Sequence, residues 1–262
     1  MQIKRFFKSA ACLFMLLSLP FLLRLGNSTD LVASLAQLPG LADTPDKGAF
    51  VDIVKAIDEV YTEGTIKIEL YPFARSVNNV IAGKADFHIP TFRNLKIDQS
   101  KLPYGTVTEK MGKVRFVIYS NTDNPINKKM LDDAILNAKS GQFPYKIEGA
   151  SGIESQYPFP VISTNDVTQG LRKVANKRID ALVWAQEEVD FTIKNLKLKN
   201  IRRELWQDFE DAIIISKGPG GDRINNILSD ALRKLRASGK LEQLYSKIHR
   251  PYENWQPADM GW

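Results

Sequence analysis

Two arginines stand just beyond apolar, strand-like runs in the stretch YPFARSVNNVIAGKADFHIPTFRN, residues 71–94. A forked guanidinium matches the two oxygens of a carboxylate. In open parallel sheets, small molecules bind beyond the carboxyl ends of the strands, beside helix N-termini. Arg75 follows the run TIKIEL and begins a helix, where its charge opposes the macrodipole and so gains nothing from helix structure. Arg93 follows ADFHIP. Each alone reads equally well as an exposed charge; the recurrence at equivalent places points to a site for a carboxylate. Tyr71 and Phe73 flank Pro72 at this edge and could stack on a ligand, although plain packing explains Phe73 nearly as well. Thr91 belongs to the same edge. From the second half, the turn GASG (residues 149–152) could aim backbone N–H groups from Gly149 onward, and the Ser151 hydroxyl, at an anion. A simple glycine turn competes with that reading. Ser163 and Thr164 end another strand, where helix capping accounts equally for Thr164. Gln186 or Glu187 could meet a cationic or amide group.

Catalytic arrangements are scarce. There is no His-Glu-x-x-His, no Walker loop and no Gly-x-Ser-x-Gly. His88 lies in an apolar run and reads as a packed core residue, and His249 lies near the C-terminus. GPGGD (residues 218–222) is a turn before a helix and a weak phosphate signal. The single cysteine, Cys12, sits in an apolar leader, so no disulfide, thiol chemistry or cysteine metal site is expected after it. The expectation is a binding protein with no catalytic residue, no metal and no cofactor.

The elements that must hold such a site alternate along the chain. The segments DLVASLA, TIKIEL and ADFHIP read as strands. Between them, FVDIVKAIDEVY and SVNNVIAG carry apolar residues at helical spacing. This order calls for a parallel sheet with crossover helices. The pattern repeats with strands at KVRFVIYS, YKIEG, FPVIS, RIDALVW and DAIIISKG. Helices are expected at NKKMLDDAILNAKSG, ending near Gly141, and at TNDVTQGLRKVANK, with Thr164 or Asn165 as N-cap. An amphipathic helix broken at Gly239 closes the series. No Gly/Ser linker separates the halves, so strands such as KVRFV and AIIIS are expected to join two lobes that can close as a hinge.

The first residues differ from the rest. Lys4, Arg5 and Lys8 precede the short apolar run AACLFMLLSLPFLL, the pattern of a secretory leader. The run is shorter than the ~20 residues that comfortably span a bilayer. Cutting after Ala36 would remove the first strand, so cleavage is expected near Ser28 and the mature chain in the periplasm. The chain has 36 basic and 30 acidic residues. Removing Lys4, Arg5, Lys8 and Arg24 with residues 1–28 leaves 32 against 30, or +2. Without a sustained basic stripe, nucleic acid is not an expected partner.

Several segments together resemble the extracellular solute-binding proteins of family 3, the polar amino-acid type. KGAFVDIVKAI looks like that family's Gly-x-x-x-Asp helix start, VIAGKADF like its L..GevD element, and Arg93 before SKLPYG like its Arg before Ser-x-Pro-Tyr. In the second half, YKIEGASG, VTQGLRKVANKRIDALV and ALRKLRASGKLEQLYSKI are similar to its later elements in order. The resemblance implies an α/β, two-lobed periplasmic-binding-protein type II fold with two hinge strands. Residues 29–115 with 213–262 would form one lobe and residues 116–212 the other. It also implies a monomer that delivers a small-molecule ligand to an inner-membrane ABC transporter permease. Two departures stand out: the Asp86-to-Arg93 spacing is shorter, and Ala185 occupies the place of the family's amino-group Asp. Two other functions share this architecture, a periplasmic dehydratase-like enzyme using Glu148, Glu154 or Glu187, and a solute sensor for signalling.

Overall fold

The computed structural model describes residues 29–138, 142–249 and 252. The expected leader with Cys12, the helix end near Gly141 and the C-terminal stretch other than Tyr252 lie outside the described residues. Strand β1 (Leu31–Ala36) is buried at nearly every position because helices cover both its faces. In α1 (Ala49–Val60), Phe50, Ile53, Val54 and Ile57 recur at helical spacing and are buried against that sheet. Then follow β2 (Ile66–Tyr71), α2 (Phe73–Ile81), β3 (Phe87–Arg93) and the two-residue β4 (Gly105–Thr106). β1 pairs in parallel with both β2 and β3, as the alternation of strands and helices requires.

The second half repeats the plan. It comprises β5 (Gly112–Asn121), α3 (Lys128–Asn137), β6 (Ile147–Ala150), β7 (Ile162–Thr164), α4 (Val167–Ala175), β8 (Ala181–Ala185) and α5 (Gln186–Leu196). β9 (Ile201–Ile215), α6 (Pro219–Ala237) and α7 (Lys240–Tyr245) follow, the last two separated at Gly239 with φ 73°. β6 runs parallel to both β7 and β8. The sheet order is β2-β1-β3-β9-β5-β8-β6-β7, with β4 against β9. Two parallel blocks therefore flank the antiparallel pair β9–β5, giving the two-lobed plan.

Three local findings differ from the sequence reading. β9 begins at Ile201, ten residues before the expected strand, and is 15 residues long. Its first part is charged, yet Arg203 is buried and paired with Asp190 of α5, Nη2 to Oδ2 at 2.5 Å. The Tyr119 hydroxyl donates to the same carboxylate at 2.7 Å. Helix α5 was not anticipated at all. The N-cap of α4 is Asp166, whose carboxylate accepts from Gln169 N–H, rather than Thr164 or Asn165. Thr164 Oγ1 instead accepts from Asp166 N–H.

The β5–β9 ladder shifts between Phe116 and Val117: Phe116 faces Gln207, Val117 faces Leu205, and Trp206 has no partner in the ladder. Such an extra residue bends a strand pair. The buried rings around it form one group. Phe92 of β3 lies 4.3 Å from Phe116 and 4.7 Å from Phe209, centroid to centroid, and Trp206 lies 5.4 Å from Phe209. Tyr157, from the segment after β6, stands 5.5 Å from Phe92. Its ring fills the space beside Gly149, where an added Cβ would come within 2.9 Å of it.

Replacing Phe209 by Ala should remove the ring that packs on Phe92, Phe116 and Trp206. A cost of about 3–5 kcal/mol is expected for a buried Phe→Ala change, read as a lowered midpoint in urea unfolding. A loss under about 1 kcal/mol would show that the group closes over the gap or carries little of the stability.

Candidate ligand cleft

A cavity of about 70 Å³ lies where the carboxyl ends of the parallel strands of both halves converge. Leu38 follows β1, Phe73 follows β2, and Pro90, Thr91 and Phe92 come from β3. Phe116 of β5 forms the floor at the strand crossing. Ala150 ends β6 and Ile153 and Tyr157 follow it, while Trp184, Ala185, Glu187 and Glu188 come from the β8–α5 junction. The walls are therefore largely apolar and aromatic.

Direct contacts close the halves over this space. Asn94 donates from its backbone N–H to Gln156 Oε1 at 3.2 Å and from Nδ2 to the Gln156 carbonyl at 3.0 Å. Gln156 Nε2 in turn donates to the Tyr104 hydroxyl at 3.3 Å. Both Asn94 and Gln156 are almost wholly buried. Gly152, with φ 92°, sits against α2 so closely that an added Cβ would lie 3.0 Å from Ala74 Cα.

One end of the cavity is polar. His249 bridges two elements, Nδ1 donating to Glu187 Oε1 at 2.8 Å and Nε2 to Asp211 Oδ2 at 3.2 Å. Tyr245 lies over the imidazole, ring centroids 4.1 Å apart. Its hydroxyl is 2.8 Å from the Lys113 carbonyl and 3.2 Å from the same Asp211 oxygen. Burial alone would lower the His249 pKa, but hydrogen bonds to Asp211 and Glu187 outweigh it and raise it to about 9. Glu188 receives the Trp184 indole N–H at 2.8 Å, and burial raises its carboxyl to about 7. Thr91 is 5% exposed, and its hydroxyl has no hydrogen-bond partner among the described residues.

Of the residues expected to form the site, Phe73, Thr91 and Glu187 line the cavity. Arg93 does not. Its Nε donates to Glu210 Oε2 at 2.8 Å, Nη1 to the Val107 carbonyl at 3.1 Å and Nη2 to the Thr108 carbonyl at 3.3 Å. Arg93 and Glu210 face each other across β3 and β9, and Lys110 completes the pair from 3.0 Å. Arg75 also stays outside. It is exposed, lies over the Tyr71 ring at 5.0 Å, and borders an outer groove with Tyr71, Asn78 and Asn165. The case for a carboxylate-bearing ligand, which rested on these two guanidinium groups, loses its support.

The remaining candidates serve the protein itself. Gly149 makes room for Tyr157. The turn containing Ser151 already faces an anion, the Glu154 carboxylate, which accepts from Gly152 N–H at 3.0 Å and from the Ser163 hydroxyl at 2.6 Å. Burial opposes ionisation there, but these donors hold the Glu154 pKa below the usual range. Gln186 is buried at the start of α5 and its carbonyl accepts from Tyr119 at 3.4 Å. His88 is fully buried between Ser76 Oγ, 2.7 Å away, and the Pro90 carbonyl, with its pKa lowered to about 3 by burial. It is a core residue, as expected. Among the described residues no group of three His, Cys, Asp or Glu is placed to hold a metal ion, and no helix is long and apolar enough to cross a membrane.

No family model matches the chain, and no curated protein matches it in sequence. Solved structures match it in fold. A histidine kinase sensor domain with similarity to periplasmic binding proteins has a TM-score of 0.65 at 18% identity, covering 84% of this chain and 96% of its own. EhuB in complex with hydroxyectoine also gives 0.65, at 15% identity, covering 90% and 95%. The GluR0 ligand-binding core from Nostoc punctiforme in complex with L-glutamate gives 0.62 at 15%, covering 84% and 100%. The architecture is the two-lobed periplasmic-binding-protein fold expected above.

Two outcomes follow from this geometry. Arg93→Ala should cost about 1.5–3 kcal/mol of stability, the range for hydrogen bonds to a charged group. It should leave solute affinity unchanged, so a calorimetric loss of binding without destabilisation would contradict the placement. The second outcome concerns pH. The folded pKa of His249, about 9, lies above its ordinary 6.5. Its contribution is thus complete below about 6.5 and lost as pH rises through about 9. Glu188 and Asp190, raised to about 7, titrate mostly below that upper range. Melting temperature should therefore fall between pH 7.5 and 9.5 (roughly the upper limb of this window) in the wild type, and fall less in His249→Gln. Parallel curves for the two proteins would refute it.

Proposed function

We propose that this protein is a solute-binding receptor that captures a small molecule between its two lobes and performs no chemistry on it. The observation that carries the reading is the cavity at the converging strand ends, walled from both halves and closed by Asn94–Gln156 contacts. Among the described residues, β5 and β9 lie between the two parallel blocks in the sheet order, and their ladder shift at Phe116 and Val117 supports a lobe boundary beside residue 115. The lobe limits given above, 29–115 with 213–262 and 116–212, belong to this proposal. So do export with loss of residues 1–28, a periplasmic location, a monomeric state and delivery to an inner-membrane ABC transporter permease. Hydroxyectoine and L-glutamate in two structures of the same fold support small-solute capture.

Catalysis is disfavoured by what the three candidate carboxyl groups already do. Glu148 is paired with Lys173 at 2.6 Å, Glu154 closes its own turn, and Glu187 holds His249. A sensing role is the second reading, favoured by the fold match to a histidine kinase sensor domain. Both readings require capture.

Native mass spectrometry of gently purified protein should show a noncovalent small-molecule adduct that disappears after unfolding and refolding. Small-angle scattering should give a larger radius of gyration for the stripped protein than for the loaded one. A bare mass together with an identical radius before and after stripping would count against capture.

A further inference from the structure

The charges lining the cavity are unequal. Glu187, Glu188 and Asp211 face it, and among the described lining residues the only cationic group is His249. That imidazolium is already shared by Glu187 and Asp211. Glu188, half-buried, has the Trp184 N–H at 2.8 Å, a neutral donor that only partly offsets a negative charge drawn out of water. The apolar walls include the rings of Phe73, Phe92, Phe116 and Trp184, whose faces attract cations. Thr91 adds a buried hydroxyl with no partner among the described residues, a group that ordinarily requires one. A carboxylate entering here would meet like charge at low dielectric.

Resting on the receptor reading above, we propose that the cleft selects a small, largely apolar organic cation, a protonated amine on a short hydrocarbon group, in preference to a carboxylate. Its ammonium group is held by the Glu188 carboxylate and the Thr91 hydroxyl, and its hydrocarbon part lies against the rings. The helix dipole by itself accounts for acids in the first turn of α5. It does not account for Asp211 on β9 or for the unpaired Thr91 hydroxyl. Burial keeps the Glu188 carboxyl mostly neutral below pH 7, and an arriving cation favours its ionised form. At ~10–15 Å³ for one water-sized probe, the space admits on the order of five non-hydrogen atoms as it stands, which sets the size of the test molecules.

Isobutylammonium, isobutanol and isobutyrate share one shape and differ in charge. The stripped full-length mature chain is titrated with each by calorimetry and thermal shift at pH 7.5. Isobutylammonium should bind at least tenfold tighter than the other two. Glu188→Gln and Thr91→Val should each reduce that preference several-fold with unliganded melting temperatures close to wild type, whereas Arg75→Ala on the outer groove should keep it. Equal or tighter binding of isobutyrate or isobutanol overturns the charge selection and leaves capture standing. Failure of all three to bind also overturns this proposal. Capture is then decided separately by the retained adduct and the change of radius.

Discussion

Where β3, β5 and β9 cross, Phe92, Phe116 and Phe209 touch ring to ring, and Tyr157 from the following lobe closes on them. The rest of the structure depends on this contact because these rings lie in the buried apolar cluster that joins Val77, Leu102 and Tyr104 of the first half to Ile153 and Trp184 of the second. Aromatic pairs contribute about 0.5–1.5 kcal/mol each beyond the area they bury. Their larger effect here is geometric. Packed rings tolerate few arrangements, so they set the angle at which the two parallel blocks meet. Of these rings, Phe92, Phe116 and Tyr157 also line the cavity.

Buried charge does a different task. Arg203 with Asp190 and Tyr119, and Arg93 with Glu210 and Lys110, join strands to neighbouring elements far away in sequence. Such pairs add little net stability against apolar replacements. They do penalise wrong registers, since a one-residue slip of β9 would strand either arginine. Burial outweighs Arg203 in its effect on Asp190, whose carboxyl is raised to about 7. The pair is thus best understood as orienting α5 on β9, and through α5 the acids that face the cleft.

The alternation of apolar strands with amphipathic helices made the fold class legible, and three of the candidate site residues, Phe73, Thr91 and Glu187, line the cavity. What failed did so for one reason, that long-range pairing is invisible in a local pattern. The charged opening of β9 carries no strand pattern of its own, because Asp190, the partner that allows Arg203 to be buried, comes from a different element, α5. Arg93 looked like a ligand arginine because Glu210 becomes its neighbour only through the β3–β9 register. Phe92, Phe116 and Tyr157 are ordinary core residues by pattern, and only the crossing turns one face of them to the cavity. Asp211 left a usable signal, an acid heading the fully apolar run AIII. His249 left none, since its role depends on where the C-terminal helices end.

The bonds between Asn94 and Gln156 are made between protein groups and owe nothing to a solute. Under the proposed capture, a partner that reads lobe closure contends with a background of empty molecules held closed by these contacts. Each ~1.4 kcal/mol of closure supplied by such contacts multiplies that population by ten. A receptor built this way gains affinity by preorganisation and loses dynamic range, the ratio between its signals when loaded and when empty. Asn94 and Gln156 would then act as a gain control on whatever reads the protein.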